Sequence, residues 1–369
     1  MNKPKILLDL RPLQGQSRKR GIGTYVRGLL EGLEASRDSF EFLGLVDSNL
    51  PRVENLPSWV KQVVVHRRFR GRFSVIEDAV RITHELNEIG PNVYHSTEFS
   101  LPGRTNCKVV ATIHDLIPWV WKGPGYRGQR VLRHWQFSRL KYIDFGICVS
   151  TATKNDVTQL SIVSGDKLAV VYNGLNRSFR SALLTQQHQN LPSKYLLYVG
   201  GFDERKNLLH LFLAFKELRK CYQDLELYLA GDPGPDQRRV RRWLERAGPS
   251  IEPKFLGQVG EKELVELYSN AICLAFPSLY EGFGLVLVEA MACGCPVVAY
   301  KNSAIPEVAG DSALLANNND LEEFTESIGK LISDNELRNQ LITRGKQRAA
   351  NFTWEKCAKE TCKIYQMLL

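Results

Sequence analysis

Short apolar runs alternate with longer amphipathic segments along almost the whole chain. The apolar runs are five to eight residues long, which suits buried strands, and many of the segments between them have helical spacing. This alternation is typical of α/β folds with parallel sheets, because a parallel strand is joined to the next by a crossover that is usually a helix. The predicted strands are 5–10, 42–47, 61–66, 92–96, 108–115, 145–150, 168–174, 195–201, 225–231, 252–258, 271–278, 295–300 and 312–316. The predicted helices are 22–36, 75–90, 124–142, 151–160, 206–220, 235–247, 261–269, 284–293, 303–309, 319–332 and 335–369.

A polar stretch at residues 181–193 interrupts the alternation and is interpreted as a linker. The chain has 369 residues, which is enough for two domains of about 150 residues, each with its own core. We therefore predict two Rossmann-like domains that face each other across a cleft, over residues 1–183 and 190–352. The C-terminal helix, 353–369, is predicted to pack back on the first domain.

The formal net charge is +9, and the positive excess is confined to the first half of the chain. Residues 1–186 carry 27 Lys and Arg against 16 Asp and Glu. A one-sided positive field attracts anions, such as a phosphorylated substrate, nucleic acid or an anionic bilayer. No apolar run approaches the ~20 residues of a membrane span. The N-terminus has no cleavable signal pattern, so we expect a cytoplasmic protein with its eight cysteines reduced.

Ligands of open parallel sheets bind beyond the carboxyl ends of the strands, which directs attention to the loops that follow them. The segment LYEGFGLVLVEAMACGCPV (279–297) leaves a predicted strand and enters a predicted helix. Gly282 and Gly284 allow a close approach to a ligand, and the helix start is suited to phosphate. Glu281 and Glu289 would repel phosphate, so hydroxyl groups are their expected partners. A nucleotide sugar supplies both phosphates and hydroxyls.

The segment EGFGLVLVE resembles the E-x7-E motif of retaining glycosyltransferases with the GT-B fold, in the family 4 group that uses nucleotide sugars. Further matching segments follow in the family's order over nearly the whole chain. They are GIGTYVRGLLEGL (21–33), VVATIHDLIPW (109–119), ICVSTATKNDV (147–157), VVYNGL (170–175) and LLYVGGFDERKNL (196–208). Each segment alone is a weak signal, and their order makes the resemblance specific.

The resemblance implies a role for each matching residue of the second half. Glu281 is expected to bind the C3 and C4 hydroxyls of the donor sugar, and Glu289 the ribose hydroxyls. The residues whose amides are expected to meet the sugar and the phosphates are Gly282, Phe283, Gly284 and Leu285. Arg205 and Lys206 are expected to clamp the pyrophosphate at the start of a helix, where cations oppose the helix dipole and so favour an anionic partner. Many members also have an arginine after the glycine of this segment, where this chain has Phe202.

In the first half, the resemblance assigns His114 to the donor sugar and to support of the transition state. A histidine satisfied within the core is the alternative interpretation. Gly21 and Gly23 are expected to form a loop that closes on phosphate or acceptor, with Thr24 beside them. His95 and Glu98 also follow a predicted strand and are candidates for contact with the acceptor.

The implied reaction proceeds with retention and without a protein nucleophile, and no cofactor beyond the nucleotide-sugar co-substrate is expected. No D-x-D triplet occurs in the sequence, which favours a reaction independent of divalent metal. The donor is interpreted as UDP-glucose or another UDP-hexose, with GDP-mannose next. The acceptor is expected to be a saccharide or lipid-linked saccharide in cell-surface polysaccharide biosynthesis.

The basic stretch HRRFRGRFS (66–74) interleaves arginines with phenylalanines. A solvated face is one interpretation, and docking on the inner face of the plasma membrane is the other, because a basic and aromatic patch suits an anionic interface. Residues 126–142 share this composition and could extend the patch. Nucleic acid is not an expected partner, since no binding motif accompanies the charge.

Four rival classes fit the sequence less well. A nucleotide-sugar epimerase could share the two-Rossmann plan but lacks this E-x7-E context, and a phosphorylase would need a longer chain. A non-catalytic scaffold that binds nucleotide sugar is disfavoured by the complete set of Glu281, Arg205, Lys206 and His114. A dehydrogenase is disfavoured because no G-x-G-x-x-G follows the first strand.

Overall fold

A computed structural model describes residues 3–66, 77–98, 100–121, 137–160, 163–183, 194–231, 237–248 and 251–369. These residues form two compact units. The first unit contains the described residues up to Gly174 together with Thr353–Leu369, and the second contains Leu175–Phe352. The sequence had placed residues 175–183 in the first domain, whereas the structure assigns them to the second. The segment Ser181–Ser193 is described only up to Leu183.

The first unit is built on a sheet of seven parallel strands in the order β3-β2-β1-β4-β5-β6-β7. The register pairs Leu7 of β1 with Leu43 on one side and with Tyr94 on the other. The strands are β1 (Lys5–Asp9), β2 (Glu41–Asp47), β3 (Lys61–Val65), β4 (Val93–Ser96), β5 (Lys108–Ile113), β6 (Phe145–Cys148) and β7 (Leu168–Val170).

Both faces of this sheet are covered, which is why its strands read as continuous apolar runs. Along β1, Ile6 and Leu8 join one apolar cluster while Leu7 joins another on the opposite face. The α-helices of the unit are α1 (Gly21–Leu33), α2 (Thr83–Ile89), α3 (Ile117–Val120), α4 (Thr151–Gln159) and, at the end of the chain, α13 (Trp354–Leu368). The shorter helical turns are Arg11–Leu13, Gln16–Lys19, Glu34–Ser36, Asp78–Ile82, Arg139–Tyr142 and Gly165–Lys167.

The second unit carries a sheet of six parallel strands in the order β10-β9-β8-β11-β12-β13. Leu197 of β8 lies in register with Leu274 of β11. The strands are β8 (Tyr195–Val199), β9 (Glu226–Ala230), β10 (Lys254–Gly257), β11 (Cys273–Phe276), β12 (Val297–Lys301) and β13 (Leu314–Asn317). The helices are α5 (Arg177–Leu183), α6 (Leu208–Cys221), α7 (Gln237–Ala247), α8 (Glu261–Asn270), α9 (Leu285–Ala292), α10 (Ile305–Ala309), α11 (Leu321–Ser333) and α12 (Asn335–Ala349), with a short turn at Glu204–Lys206.

All thirteen predicted strands are present. Most are shorter at the carboxyl end than predicted, because the apolar pattern continued into the loops that follow them; β7, for example, ends at Val170 rather than at residue 174. The predicted helical segment 335–369 consists of two helices, α12 and α13, and α13 matches the predicted C-terminal helix 353–369. They are separated at residues 350–353, where the hydroxyl of Thr353 accepts from the Lys356 N–H and caps α13. No helix within the described ranges has the length and apolarity needed to cross a bilayer.

Helix α13 packs against α1 through Trp354, whose side chain is fully buried. A Cβ atom added at Gly28 would lie 1.9 Å from Trp354 Cε2, and one at Gly32 would lie 2.2 Å from the Trp354 carbonyl oxygen. The two helices therefore approach each other over positions that have no side chain. This contact places the end of the chain in the first unit.

We predict that Gly28→Ala destabilises the first unit by about 1–3 kcal/mol, because the added methyl group overlaps the indole of Trp354. Urea unfolding followed by tryptophan fluorescence measures the change. Gly165→Ala is the matched control, since no heavy atom lies within 4 Å of the position that its Cβ would take. Equal unfolding midpoints for the two variants would contradict the packing account.

Candidate active site

The candidate site of the second unit lies where the order of strands in the sheet reverses. Strands β8 and β11 are neighbours in the sheet, but β9 and β10 extend to one side and β12 and β13 to the other. Such a switch point opens a crevice at the carboxyl ends of the two central strands. Residues 200–207 follow β8 and residues 277–284 follow β11. The loops that carry Arg205, Lys206 and Glu281 therefore lie side by side.

The Glu281 carboxylate is the centre of this site. Its Oε1 atom accepts three hydrogen bonds, from Lys206 Nζ at 2.6 Å, from Ser278 Oγ at 2.5 Å and from Arg205 Nη1 at 3.0 Å. The side chain is 11% exposed. The other oxygen, Oε2, accepts from no residue in the described part of the chain. The two oxygens of Glu281 thus differ: Oε1 is saturated by three side chains, and Oε2 has no such donor among the described residues.

Glu281 remains ionised despite its burial. Burial alone would raise the pKa of its carboxyl group, but the charges of Arg205 and Lys206 and the hydrogen bonds from Lys206 and Ser278 outweigh it and lower the pKa to about 2. The stabilisation that comes from this ionised form is present above the ordinary pKa of a glutamate and is lost as the pH falls towards 2. Glu281 is therefore a carboxylate, an acceptor of hydrogen bonds only, at any neutral pH.

Arg205 and Lys206 do not lie in the first turn of a long helix, as the sequence had suggested. They belong to the short turn Glu204–Lys206, and Asn207 then takes a left-handed conformation (φ 53°) before α6 begins. Lys206 is 8% exposed, and its ammonium group lies 4.9 Å from the centre of the Phe276 ring. Both cations point at Glu281, and Arg205 Nη1 also donates to the Tyr280 carbonyl oxygen at 2.8 Å.

Helix α9 begins directly beyond Glu281. Gly284 precedes the first residue of the helix, Leu285. Its φ of 94° is a backbone conformation that residues with a side chain rarely adopt. Phe283 is buried and packs edge-on against Phe352, with ring centres 5.7 Å apart. The Leu287 N–H donates to the Gly284 carbonyl oxygen at 3.0 Å, while the amides of Leu285 and Val286 have no acceptor one turn back within the helix, a geometry that favours anions. Gly282, Phe283, Gly284 and Leu285 thus occupy the turn that the sequence assigned to donor binding.

Glu289 lies in the second turn of α9 and is partly buried. The hydroxyl group of Tyr268, from α8, donates to its Oε2 at 3.3 Å. Burial raises the pKa of the Glu289 carboxyl to about 7, the negative charge of Glu261 adds to this effect, and the hydrogen bond from Tyr268 opposes it. Glu289 therefore changes its charge close to neutral pH, unlike Glu281.

In the first unit, His114 follows β5 directly and is partly buried. Its Nε2 atom lies 2.9 Å from the Thr97 carbonyl oxygen, which can only accept, so Nε2 carries the proton and Nδ1 is an acceptor. The ring packs edge-on against Tyr25, with centres 4.8 Å apart. Burial lowers the pKa of His114 to about 4, so the imidazole is neutral at pH 7. No described residue donates to Nδ1.

His95 lies inside the first unit and not at its surface. It is 0% exposed, and its two ring nitrogens bond the Tyr365 hydroxyl at 2.5 Å and the Thr112 hydroxyl at 2.8 Å. This burial contradicts the expectation that His95 contacts the acceptor; it is a satisfied core histidine. Glu98 is partly exposed, and its Oε1 accepts from Ser17 Oγ at 3.0 Å.

Gly21, Gly23 and Thr24 lie in the first turn of α1 itself, whereas the sequence had placed the two glycines in a loop before the helix. A Cβ atom at Gly23 would lie 2.5 Å from the Arg18 carbonyl oxygen, so the preceding turn folds closely over this position. The Thr24 N–H donates to the Arg20 carbonyl oxygen at 3.1 Å and is part of the helix.

Several residues around the site carried no recognisable signal in the sequence. Ser278 and Tyr268 hold the two glutamates, and Ser303 Oγ accepts from the Glu281 N–H at 2.8 Å. In the first unit, Asp9 and Arg11 form a buried pair at the end of β1, with Arg11 Nη2 2.6 Å from Asp9 Oδ2. The DLR triplet at a strand end was the available clue for that pair. Among the described residues, no three His, Cys, Asp or Glu side chains are grouped as metal ligands.

Two parallel-sheet units of this kind are found in solved glycosyltransferases of the GT-B class. The chain superimposes on sucrose-phosphate synthase from Thermosynechococcus elongatus with a TM-score of 0.77, over 99% of both chains at 21% identity. It superimposes on HepE from Anabaena in complex with UDP and glucose with a TM-score of 0.71, over 99% of this chain and all of the other at 17% identity. These likenesses establish the GT-B fold.

The sequence comparisons are more specific. The family model for Glycosyltransferase Family 4 matches residues 19–179, and that for Glycosyl transferases group 1 matches residues 181–348. The chain is 30% identical to O-antigen chain mannosyltransferase B of Escherichia coli, over 94% of this chain and 96% of the relative. It is 28% identical to an MMP alpha-(1->4)-mannosyltransferase of Mycolicibacterium hassiacum, over 90% and 80% of the two chains. The chain belongs to the family 4 glycosyltransferases.

We predict that Glu289→Gln raises stability at pH 8 but not at pH 4.5. The wild-type folded state keeps the Glu289 proton up to about pH 7, whereas the unfolded chain releases it near the ordinary value of 4.5. Wild-type stability is therefore lost as the pH rises through this window, by on the order of 1–3 kcal/mol, and a neutral amide avoids the loss.

Thermal unfolding of both proteins at the two pH values measures the effect. Glu263→Gln, on an exposed turn of α8, is the control, and its shift should be the same at both pH values. A shift for Glu289→Gln that does not depend on pH would show that Glu289 is not held protonated.

Proposed function

We propose that this glycosyltransferase transfers a mannosyl group from a nucleotide sugar to a saccharide or lipid-linked saccharide, with retention of configuration, in the synthesis of a cell-surface polysaccharide. The sequence favoured UDP-glucose or another UDP-hexose over GDP-mannose. Two relatives that span most of the chain are named mannosyltransferases, and one of them is named for the O-antigen chain. These names favour mannose as the transferred sugar, so GDP-mannose is the first donor to test and UDP-glucose the second.

The proposal rests on one observation: the two carboxylate oxygens of Glu281 differ in their hydrogen bonds. Oε1 is saturated by Arg205, Lys206 and Ser278, while Oε2 is open. An ionised oxygen that accepts from none of the described residues suits the hydroxyl groups of a hexose. It also offers a fixed negative charge for the positive character that develops at the sugar during transfer.

The diphosphate of the donor would bind beside this oxygen. The amides at the start of α9 and the cations of Arg205 and Lys206 are the positive groups of the site. Bound phosphate would share those cations with Glu281, so the pyrophosphate is held without leaving either charge unpaired. Glu289, further along α9, would bind the ribose hydroxyls.

In the reaction, the acceptor hydroxyl attacks C1 of the sugar from the face that the diphosphate leaves. The bond from C1 to the phosphate oxygen breaks, the bond to the acceptor oxygen forms, and the acceptor proton passes to the departing diphosphate. No side chain is needed as a nucleophile or as a base. His114, neutral and with Nε2–H fixed on Thr97, would offer Nδ1 and its backbone to the donor sugar.

We further propose that no divalent metal takes part. Metal ions stabilise the leaving diphosphate in other enzymes by neutralising its charge. Here Arg205, Lys206 and the amides at the start of α9 can supply that neutralisation. Transfer should therefore persist in EDTA.

We predict that Glu281→Gln lowers the transfer rate by about 100-fold or more, because the amide cannot hold a developing positive charge. Nucleotide affinity, measured by calorimetry with GDP and UDP, should change much less. Transfer is measured with GDP-mannose and with UDP-glucose, each with and without EDTA. Glu217→Gln, an exposed carboxylate paired with Lys220, is the control.

Each arm of this assay has an outcome that opposes one part of the proposal. Unaltered turnover in Glu281→Gln removes Glu281 from the mechanism. Transfer that stops in EDTA and returns with Mg²⁺ refutes the metal-free reaction. Transfer from UDP-glucose alone refutes mannose as the sugar.

The basic stretch 66–74 lies outside the described residues apart from His66, as do residues 126–136 of the second basic segment. From its composition we propose that the stretch binds an anionic membrane surface at the inner face of the plasma membrane. Replacement of Arg67, Arg68, Arg70 and Arg72 by serine should then weaken sedimentation with phosphatidylglycerol vesicles at low salt. The same replacement of Arg238, Arg239, Arg241 and Arg242 is the control for net charge, and equal effects of the two sets would refute the patch.

A further inference from the structure

The loop that follows β12 is bound directly to the backbone of Glu281. The Glu281 N–H donates to Ser303 Oγ at 2.8 Å, and the Ala304 N–H lies 3.4 Å from the Glu281 carbonyl oxygen. Two consecutive residues of one loop therefore hold the N–H and the carbonyl group of Glu281.

The Ser303 hydroxyl is itself one member of a chain of hydrogen bonds. It donates to Asn302 Oδ1 at 3.0 Å, and Asn302 Nδ2 donates to the Ser278 carbonyl oxygen at 2.9 Å. Ser278 in turn donates its hydroxyl to Glu281 Oε1. The chain thus leaves the backbone of Glu281 at one end and returns to its side chain at the other. Asn302 Nδ2 also donates to Asn318 Oδ1 at 2.9 Å, which fixes the amide group in its orientation.

Ser303 holds this position in an unfavourable backbone conformation. Its φ is 42°, in the left-handed region that residues with a Cβ rarely adopt. Glycine would take this conformation more easily, but glycine has no hydroxyl to accept from Glu281. Strained residues of this kind persist where their surroundings hold them, and they concentrate at functional sites.

We propose that Ser303 is a positioning residue for Glu281: its hydroxyl, aimed by a left-handed backbone, fixes the Glu281 peptide so that the open carboxylate oxygen meets the donor sugar. This role rests on the function proposed above. It acts through the position of Glu281 and requires no contact between Ser303 and the substrate. A misplaced carboxylate would bind the nucleotide almost as well but would stabilise the transferring sugar less, since positional errors of about 1 Å have large effects on rate.

Two substitutions of Ser303 distinguish the effect of its hydroxyl group from the effect of its left-handed backbone. Ser303→Gly removes the hydroxyl and relieves the backbone, so we expect a Tm close to or above that of the wild type. Ser303→Ala removes the hydroxyl and keeps the strain, so we expect a lower Tm. In both variants kcat should fall about tenfold with a donor KM within about threefold of the wild type, as expected for a loss felt mainly in the transition state. Asn55→Gly relieves a left-handed residue (φ 56°) on an exposed turn of the other unit and should leave kcat unchanged.

A binding measurement separates this inference from the proposed function. Calorimetry compares GDP-mannose with GDP, and UDP-glucose with UDP, in the wild type and in Ser303→Gly. We expect the variant to keep its affinity for the nucleotide and to lose part of the extra affinity that the sugar provides. If the wild type transfers the sugar and Ser303→Gly keeps both the wild-type kcat and the extra affinity that the sugar provides, Ser303 has no positioning role. The proposed function is then unaffected. A wild-type protein that binds none of these nucleotides overturns the proposed function and this inference with it.

Discussion

The second unit depends on the neutralisation of one buried carboxylate. Glu281 is ionised although its side chain is only 11% exposed, and the Lys206 side chain is 10% exposed, so each charge would be strongly unfavourable without the other. Neither is stable in apolar surroundings alone, and together with Arg205 and Ser278 they form a closed set of hydrogen bonds. The cations come from the loop after β8 and the carboxylate from the loop after β11. The pair can form only because the strand order places β8 beside β11.

This dependence explains why one part of the site was predictable and another was not. The motif around Glu281 is local: a strand, a glycine turn and a helix occur within 20 residues, and periodicity and glycine spacing predict such segments. The parallel sheets were predictable for the same reason, since strands covered on both faces, such as β1 with Ile6, Leu7 and Leu8, are apolar at every position.

Contacts between distant segments left no such signal. Lys206 and Glu281 are 75 residues apart, and nothing in either segment indicates that the cations would face the carboxylate and not solvent. Ser303 and Asn302 had no recognisable pattern at all. A distant contact also explains the wrong prediction for His95. A histidine at a strand end resembles a site residue, but Tyr365, 270 residues away in the sequence, bonds it within the core. The polar stretch from residue 181 predicts that the first domain ends at 183, whereas the structure places α5 in the second unit; this helix is too short and too polar for its packing to be predicted.

The two glutamates of the motif, Glu281 and Glu289, show how the same side chain acquires opposite properties only eight positions apart. Burial acts to raise the pKa of both carboxyl groups, but Glu281 has two cations within 3.0 Å, whereas the partner of Glu289 among the described residues is the Tyr268 hydroxyl at 3.3 Å. Glu281 is therefore a fixed charge and Glu289 a titratable group. A fixed charge suits the role proposed for Glu281 at the transferring sugar, where a change of protonation would abolish stabilisation of positive charge. A titratable carboxyl suits vicinal hydroxyls, because a carboxylic acid can donate to one hydroxyl oxygen and accept from the next. The difference in chemistry follows from the positions of two cations, and these are set by the order of the strands.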